Sequence, residues 1–298
     1  MKDYKKDTIS EYHLDSDTPG KLQFEIQSIR QLGNDRKPNM VSPHIHSFYQ
    51  IIWFKSGVGK HFVDFNEYEV SENTIFFIAK NQVHAFDDVD YDGYVIHFAE
   101  EFLVQKDNDV DFFLKCSIFN NAYQLPSVCA GSGNEHKLDE YIRQMQVELG
   151  EHRKYGQQDL LRLYLKAFLI QVQRRKYELE EMNRGIAPFV VDEKRAQLIR
   201  FVNLIEENYT KGLKASSYAQ MLFVSLRTLS NLTLQLVNKK PSEMVHERII
   251  LEAKRLLLHS DLNVNQIADK IGFEDPSYFV KYFKKYTGQS PTSFRKSF

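Results

Sequence analysis

The residues best able to do chemistry lie in two stretches of this 298-residue chain. In the first, Pro43-His-Ile-His-Ser-Phe-Tyr-Gln50 precedes an aromatic and β-branched run, and Gln82-Val-His84 follows the short apolar run Thr74 to Ala79. Alternate residues on a strand face one way, so His44 and His46 can share a site. Neutral imidazoles there could hold zinc or iron, bind an organic molecule, or act only as structural hydrogen-bonding groups, and these readings stand open together. In the second stretch one pattern occurs twice, as Ala219-Gln-Met-Leu-Phe-Val-Ser225-Leu-Arg-Thr-Leu229 and as Ala268-Asp-Lys-Ile-Gly272-Phe-Glu-Asp275-Pro-Ser-Tyr-Phe279. Each copy reads as a short helix, a tight turn and a second helix. Two such helix-turn-helix units in tandem point to a protein that grips DNA in two places.

The elements that must hold the second stretch are legible residue by residue. Ala219 and Ala268 fall where paired helices cross closely, which requires a small side chain. Gly272 suits a left-handed turn. Asp275 is a good N-cap, and Pro276 fits the first turn of the helix it opens. Leu222, Val224 and Leu229 in one copy, and Ile271, Phe273 and Phe279 in the other, are expected to fill two small cores. Pro241 opens a long joining helix to about His259, with Val245, Ile249, Ala253, Leu256 and Leu257 on one face. Held by that helix, two recognition helices could enter successive major grooves about 34 Å apart.

The first half reads differently. Leu22 to Ile29, Phe48 to Phe54, Val58 to Val70, Thr74 to Ala79 and Tyr94 to Phe98 read as strands, punctuated by Ser56-Gly57, Asn66-Glu67 and Asp92-Gly93. Several short strands at close spacing indicate a sandwich or barrel. From about His136 to Gly150 and from Gln157 to Glu181 the period turns helical. Leu161, Leu165, Phe168 and Val172 step by 4, 3 and 4 as an a/d seam does. Leu160, Leu163, Ala167 and Ile170 form a second stripe, available to a partner if the first packs the helix's own domain. Asn183-Arg-Gly-Ile-Ala-Pro188 reads as a linker, and Lys194 to Tyr209 as the first helix beyond it.

Charge divides along the same line. Residues 192–298 carry 17 Lys+Arg against 11 Asp+Glu, whereas residues 1–191 carry 22 against 29. A basic part joined to an acidic one is what a modular nucleic-acid binder would show. The composition, 42% hydrophobic and 27% charged, is that of an ordinary globular protein. No apolar run approaches the roughly 20 residues of a membrane helix. The charged start lacks the apolar core of a secretory signal. Cys116 and Cys129 form no metal-type pair and are expected to be reduced thiols in the cytoplasm.

The stretch Ile267-Ala-Asp-Lys-Ile-Gly-Phe-Glu-Asp-Pro-Ser-Tyr-Phe279, followed by Phe283-Lys-Lys-Tyr-Thr-Gly-Gln-Ser-Pro-Thr-Ser-Phe-Arg295, resembles the signature of the AraC/XylS-type transcription regulators. Glu252-Ala-Lys-Arg-Leu-Leu-Leu258 resembles their joining helix. The resemblance covers about 100 residues. It departs from the family at Phe223, where glycine is common, and in the second half of the first recognition helix (Leu232, Thr233, Leu234, Leu236), which is more apolar than usual. It implies base readers on the early turns of each recognition helix, here Arg227, Ser230 and Asn231, then Ser277, Tyr278 and Lys281. Arg227 would suit guanine and Asn231 adenine. Lys239, Lys240, Lys284 and Lys285 would suit phosphates. Promoter DNA, a homodimer and RNA polymerase are the implied partners, with activation as the usual output.

The first half resembles the cupin sensor domain often fused to this DNA-binding unit. His44, His46 and His84 match the cupin histidines, but Gln50 stands where a glutamate ligand would be. Loss of the anionic ligand favours an organic effector, such as a sugar or metabolite, over a metal; no cofactor and no catalytic residue is expected. His44, His46, Gln50, Trp53 and His84 are the candidate effector contacts, with Phe48, Phe62, Phe77 and Phe86 as further lining. The expected organisation is a cupin-like β-barrel or jelly roll over 1–133, a helical dimerisation segment over 134–182, a linker over 183–191 and an all-α double helix-turn-helix domain over 192–298. The rival readings are a metal-dependent cupin enzyme, which Gln50 disfavours, and a constitutive regulator whose first domain only dimerises.

Overall fold

A computed structural model describes residues 10–14, 22–32, 40–105, 119, 125–131, 133–151, 154–184 and 193–297. The chain divides into two compact units, one spanning Ser10–Val190 and one containing Val191–Phe298. Residues 185–191 of the expected linker lie outside the described residues, as does Cys116; Asn183 and Arg184 still belong to the preceding helix.

Among the described residues the first unit holds ten strands in two sheets. The strands are β1 (Ser10–Tyr12), β2 (Phe24–Ser28), β3 (His44–His46), β4 (Tyr49–Ser56), β5 (Gly59–Val63), β6 (Asn66–Val70), β7 (Thr74–Ile78), β8 (His84–Phe86), β9 (Asp92–Phe98) and β10 (Ser127–Cys129). One sheet runs β1-β3-β8-β5-β6 and the other β10-β7-β4-β9-β2. The expected strand Val58 to Val70 is a hairpin, β5 against β6, which turns at Asp64-Phe65 rather than at Asn66-Glu67. Asp64 sits there at φ 54°, a left-handed conformation that Asp tolerates.

Strand parity sorts the apolar residues into two cores. Ile52 and Phe54 of β4, Phe76 and Ile78 of β7 and Val95 of β9 face the other sheet, where they meet Val63, Val70 and Phe86. Ile51 and Trp53, Ile75 and Phe77, and Ile96 and Phe98 face the opposite way. They pack on two helices, α2 (Glu135–Gly150) and α3 (Gln157–Arg184), which follow the single-turn helix α1 (Glu100–Leu103). Of the two apolar stripes on α3, Leu161, Leu165, Phe168 and Val172 are fully buried in this second core. Burying each such side chain contributes about 1.5–3 kcal/mol. The other stripe stays at the surface, with Leu163 60% and Ile170 40% exposed. Lys55, at the end of β4, reaches Glu135 at 2.5 Å and Asp139 at 2.7 Å and so ties the sheet to α2.

The second unit is helical: α4 (Glu193–Asn208), α5 (Ala215–Met221), α6 (Leu226–Val237), α7 (Pro241–His259), α8 (Val264–Lys270), α9 (Pro276–Thr287) and α10 (Pro291–Lys296). The joining helix α7 packs against every other helix of the unit. A charged group fixes it to α4. Arg248 is buried, donates to Glu206 at 2.7 Å and to Glu252 at 3.0 Å, and lies 4.1 Å from the Tyr209 ring. A buried guanidinium is tolerable because two carboxylates and an aromatic face compensate its lost hydration.

Candidate functional site

The two helix-turn-helix copies, α5–α6 and α8–α9, repeat at the level of backbone hydrogen bonds. In the first, Leu222 N donates to Tyr218 O, Phe223 N to Gln220 O and Val224 N to Ala219 O; in the second, Ile271 N donates to Ile267 O, Gly272 N to Asp269 O and Phe273 N to Ala268 O. These bonds satisfy the carbonyls orphaned where the first helix ends. Ala219 and Ala268 are fully buried at the crossing, as the spacing implies. Both turns pass through a left-handed residue, Phe223 at φ 55° and Gly272 at φ 88°. Both recognition helices are capped by a side chain: Ser225 Oγ accepts from Thr228 N at 3.0 Å and Asp275 Oδ1 from Ser277 N at 2.8 Å. Leu229, Ile271 and Phe279 are buried, while Leu222, Val224 and Phe273 are half-buried.

The candidate base readers fall on the outer face of these helices. Arg227 and Asn231 on α6, and Ser277, Tyr278, Lys281, Lys284 and Lys285 on α9, are exposed; Ser230 is half-buried. Arg227, Lys281 and Lys284 make no ion pair within the described residues. Lys239 differs from the expectation of a free phosphate contact, because it bonds both carboxylate oxygens of Glu247 at 2.7 and 2.8 Å. The apolar excess of α6 is partly explained by packing. Leu232 and Thr233 are buried and Leu236 is half-buried, leaving Leu234 exposed. Thr228 and Gln235, which sequence reasoning did not single out, share the exposed face. Helical spacing from Asn231, three residues back to Thr228 and four on to Gln235, was the available signal for them.

In the first unit, His44, His46 and His84 are brought together, all buried, with one ring nitrogen of each within 4.8 Å of the others. β3 and β8 place them through the direct pairing of His44 with His84. His44 Nδ1 donates to Ser42 O at 2.8 Å, His46 Nε2 lies 2.8 Å from His84 Nε2, and His84 Nδ1 lies 3.3 Å from His61 Nε2. The three rings have the donor set for a divalent ion. However, His46 and His84 bond each other, and Gln50 supplies no anion.

Beside them is a cavity of about 20 Å³, lined by His44, His46, Gln50 and His97 together with Tyr12, Leu32, Met40, Phe48 and Phe86. That is room for about one water molecule, so a larger guest needs a wall to move. Gln50 and His97 are direct cross-strand partners on β4 and β9 and are each 3% exposed. Trp53 is not at the cavity. It has the opposite parity to Gln50 on β4, so it points into the helix-facing core beside Phe168. Phe77 shares that fate on β7, and Phe62 points to solvent.

Burial of these imidazoles has a pH consequence. Burial and then the neighbouring His44 hold His61 down to about 3 from its ordinary 6.5. Burial, with the surrounding histidines, also pushes His84 well below 6.5. The unfolded chain accepts a proton on His61 near pH 6.5 while the folded one resists it. The stability is therefore full above pH 6.5 and drains as pH falls toward 3. At pH 5.5 the proton that only the unfolded chain accepts on His61 costs on the order of 1 kcal/mol. Calorimetry should show the first unit melting lower at pH 5.5 than at pH 7, with a smaller drop in His61→Gln.

Known proteins carry the same two parts. A family model described as an AraC-like ligand binding domain matches residues 26–155, and one described as a helix-turn-helix domain matches residues 218–297. Over 269 residues the chain is 25% identical to the HTH-type transcriptional activator RhaS of Yersinia pestis, covering 87% of this chain and 91% of that protein. It is 24% identical over 279 residues to the activator RhaS of Pectobacterium carotovorum, covering 91% and 94%. Among solved structures it is similar to ToxT from Vibrio cholerae, at 16% identity and a TM-score of 0.40 over 92% of this chain and 97% of ToxT.

Proposed function

The chain belongs to the AraC-type transcription regulators, with a ligand-binding domain ahead of a DNA-binding domain, and from that premise we propose that it is an effector-responsive activator, without catalytic activity, that binds promoter DNA as a homodimer. The observation that carries this reading is the duplicated turn-and-cap backbone of α5–α6 and α8–α9, with exposed polar side chains along the outer faces of the two recognition helices. Arg227 and Asn231 on α6, and Ser277, Tyr278 and Lys281 on α9, read bases; half-buried Ser230 adds a contact from the edge of the first helix. Lys284 and Lys285 hold phosphates, which position the protein without reading sequence.

The curated relatives bear the name of activators, which supports activation as the output; contact with RNA polymerase is part of this proposal. The stripe of exposed Leu160, Leu163 and Ile170 with half-buried Ala167 on α3 supports pairing of two copies. The histidine-lined cavity would take a small effector, such as a sugar, once a wall moves to enlarge it. Among the described residues no helix is long and apolar enough to cross a membrane, and we assign the protein to the cytoplasm.

Genome-wide mapping of bound sites, followed by footprinting at one enriched promoter, tests the reading. Arg227→Ala is expected to weaken operator binding by roughly 1–3 kcal/mol and to relax preference at one base pair. Lys284→Ala should instead weaken binding to all sequences alike and reduce the salt slope by about one. An unchanged footprint and affinity in Arg227→Ala would refute its assignment.

A further inference from the structure

An apolar side chain stands on the outer face of the first recognition helix. Leu234 is 43% exposed, while the opposite face of α6 buries Leu229, Leu232 and Thr233. Packing accounts for those residues and not for Leu234. At 3.6 residues per turn, exposed Arg227, exposed Asn231 and Leu234 fall within about 60° of one another around the helix axis. They form a row along the face, with Leu234 about 10 Å beyond Arg227 at a rise of about 1.5 Å per residue. Base pairs repeat about every 3.4 Å, so the row spans about three base-pair steps of a major groove.

The second copy fills the same position differently. Arg227, Asn231 and Leu234 are the second, sixth and ninth residues of α6, and Ser277, Lys281 and Lys284 hold those places in α9. The Lys284 ammonium suits a phosphate, whereas a leucine has no donor for an oxygen and no charge to offset one. Pressed against phosphate, Leu234 would strip water from an anion and return nothing. The floor of the major groove presents hydrogen-bonding groups and one apolar group, the C5-methyl of thymine. Against any other base edge a leucine would leave donors or acceptors unmatched. Against the methyl it buries apolar surface on both sides. Leu234 thus continues the row of Arg227 and Asn231 with the one contact that neither of them can make.

We propose that Leu234 is a specificity-determining residue of the first recognition helix and that it reads the 5-methyl group of a thymine about three base pairs from the base contacted by Arg227. This rests on the reading of α6 as a helix that enters the major groove.

The test uses the full-length protein to enrich duplexes from a random pool. In the enriched sequence each thymine is replaced in turn by deoxyuridine, which removes only the methyl group. One such replacement in each half-site, about two to four base pairs from the pair at which Arg227→Ala relaxes preference, should weaken binding about three- to tenfold. Leu234→Ala should lose as much on the thymine duplex and nothing further on the uracil duplex, because both changes remove the same contact. Leu234→Lys, which copies the second recognition helix, should also cease to distinguish thymine from uracil, while its salt slope steepens by about one. Both variants should melt with the parent, since the side chain is exposed.

The proposal is overturned if no uracil replacement weakens the parent, or if the uracil penalty persists undiminished in Leu234→Ala. It also falls if Leu234→Ala binds the thymine duplex as the parent does and lowers only transcription, for then the leucine meets protein rather than DNA. Sequence-specific enrichment with no uracil effect sinks this inference alone. Failure of the parent to enrich any sequence sinks the regulator reading and this inference with it.

Discussion

Replacing Gly272 with alanine should destabilise the second helix-turn-helix by roughly 2–5 kcal/mol, the left-handed backbone and a steric collision adding together. A Cβ at Gly272 would lie 1.6 Å from the backbone oxygen of Thr210, in the turn that follows α4. Backbone cannot step aside as a flexible side chain can, so α8 or the turn itself must move. The corresponding residue of the first copy, Phe223, also takes a left-handed φ of 55°, yet it is 96% exposed and nothing packs over its Cβ. It therefore bears only the conformational cost, about 1–2 kcal/mol for a residue with a side chain. Phe223→Gly should recover about 0.5–1 kcal/mol of that, net of the extra freedom glycine gives the unfolded chain. Calorimetry on the full chain checks both. Equal melting of Gly272→Ala and the parent would refute the packing argument, as would a loss of stability in Phe223→Gly.

That pair of residues shows what the sequence could and could not reveal. The turn was legible at both copies, because alanine, cap and apolar spacing fix the two helices locally. Why one copy demands glycine and the other does not was not legible. The answer depends on Thr210, which is 62 positions from Gly272 in sequence and meets it only after α7 has brought the elements together.

The sensor domain divides the same way. His44, His46 and His84 were visible from strand parity and a resemblance, and the structure brings them to one cluster. The misplacement of Trp53 was avoidable. Gln50 and Trp53 differ by an odd number of positions on one strand, so they cannot face the same cavity. His97 could not be found, since its place beside Gln50 follows from the register of β4 against β9. Nothing local in Tyr94-Val-Ile-His-Phe98 specifies that register. Lys239 was lost to Glu247 for a related reason: the sequence gives its charge but not the carboxylate eight positions on that neutralises it.

The largest effect on DNA binding is expected from residues that never approach DNA. α3 spends one apolar stripe on its own core and leaves Leu163 and Ile170 at the surface, seven residues and two turns apart on one face. If this stripe joins two copies, each dimer carries four recognition helices, and the second half-site is bound at an effective concentration set by the linkage between the subunits. Such linkage adds 10²–10⁴ to the affinity without a new contact. Placing Glu at both Leu163 and Ile170 puts like charges face to face across the pair and removes its apolar area. The α3 core residues Leu161, Leu165 and Phe168 are untouched, so each subunit should still fold. The expected outcome is a monomer in sedimentation equilibrium, circular dichroism like that of the parent, and a loss of about 10²-fold or more in affinity for a two-half-site promoter. Affinity for a single half-site should hardly change. A dimer that persists in Leu163→Glu/Ile170→Glu would place the pairing surface elsewhere. A monomer that keeps full promoter affinity would show that the two helix-turn-helix copies of one chain suffice.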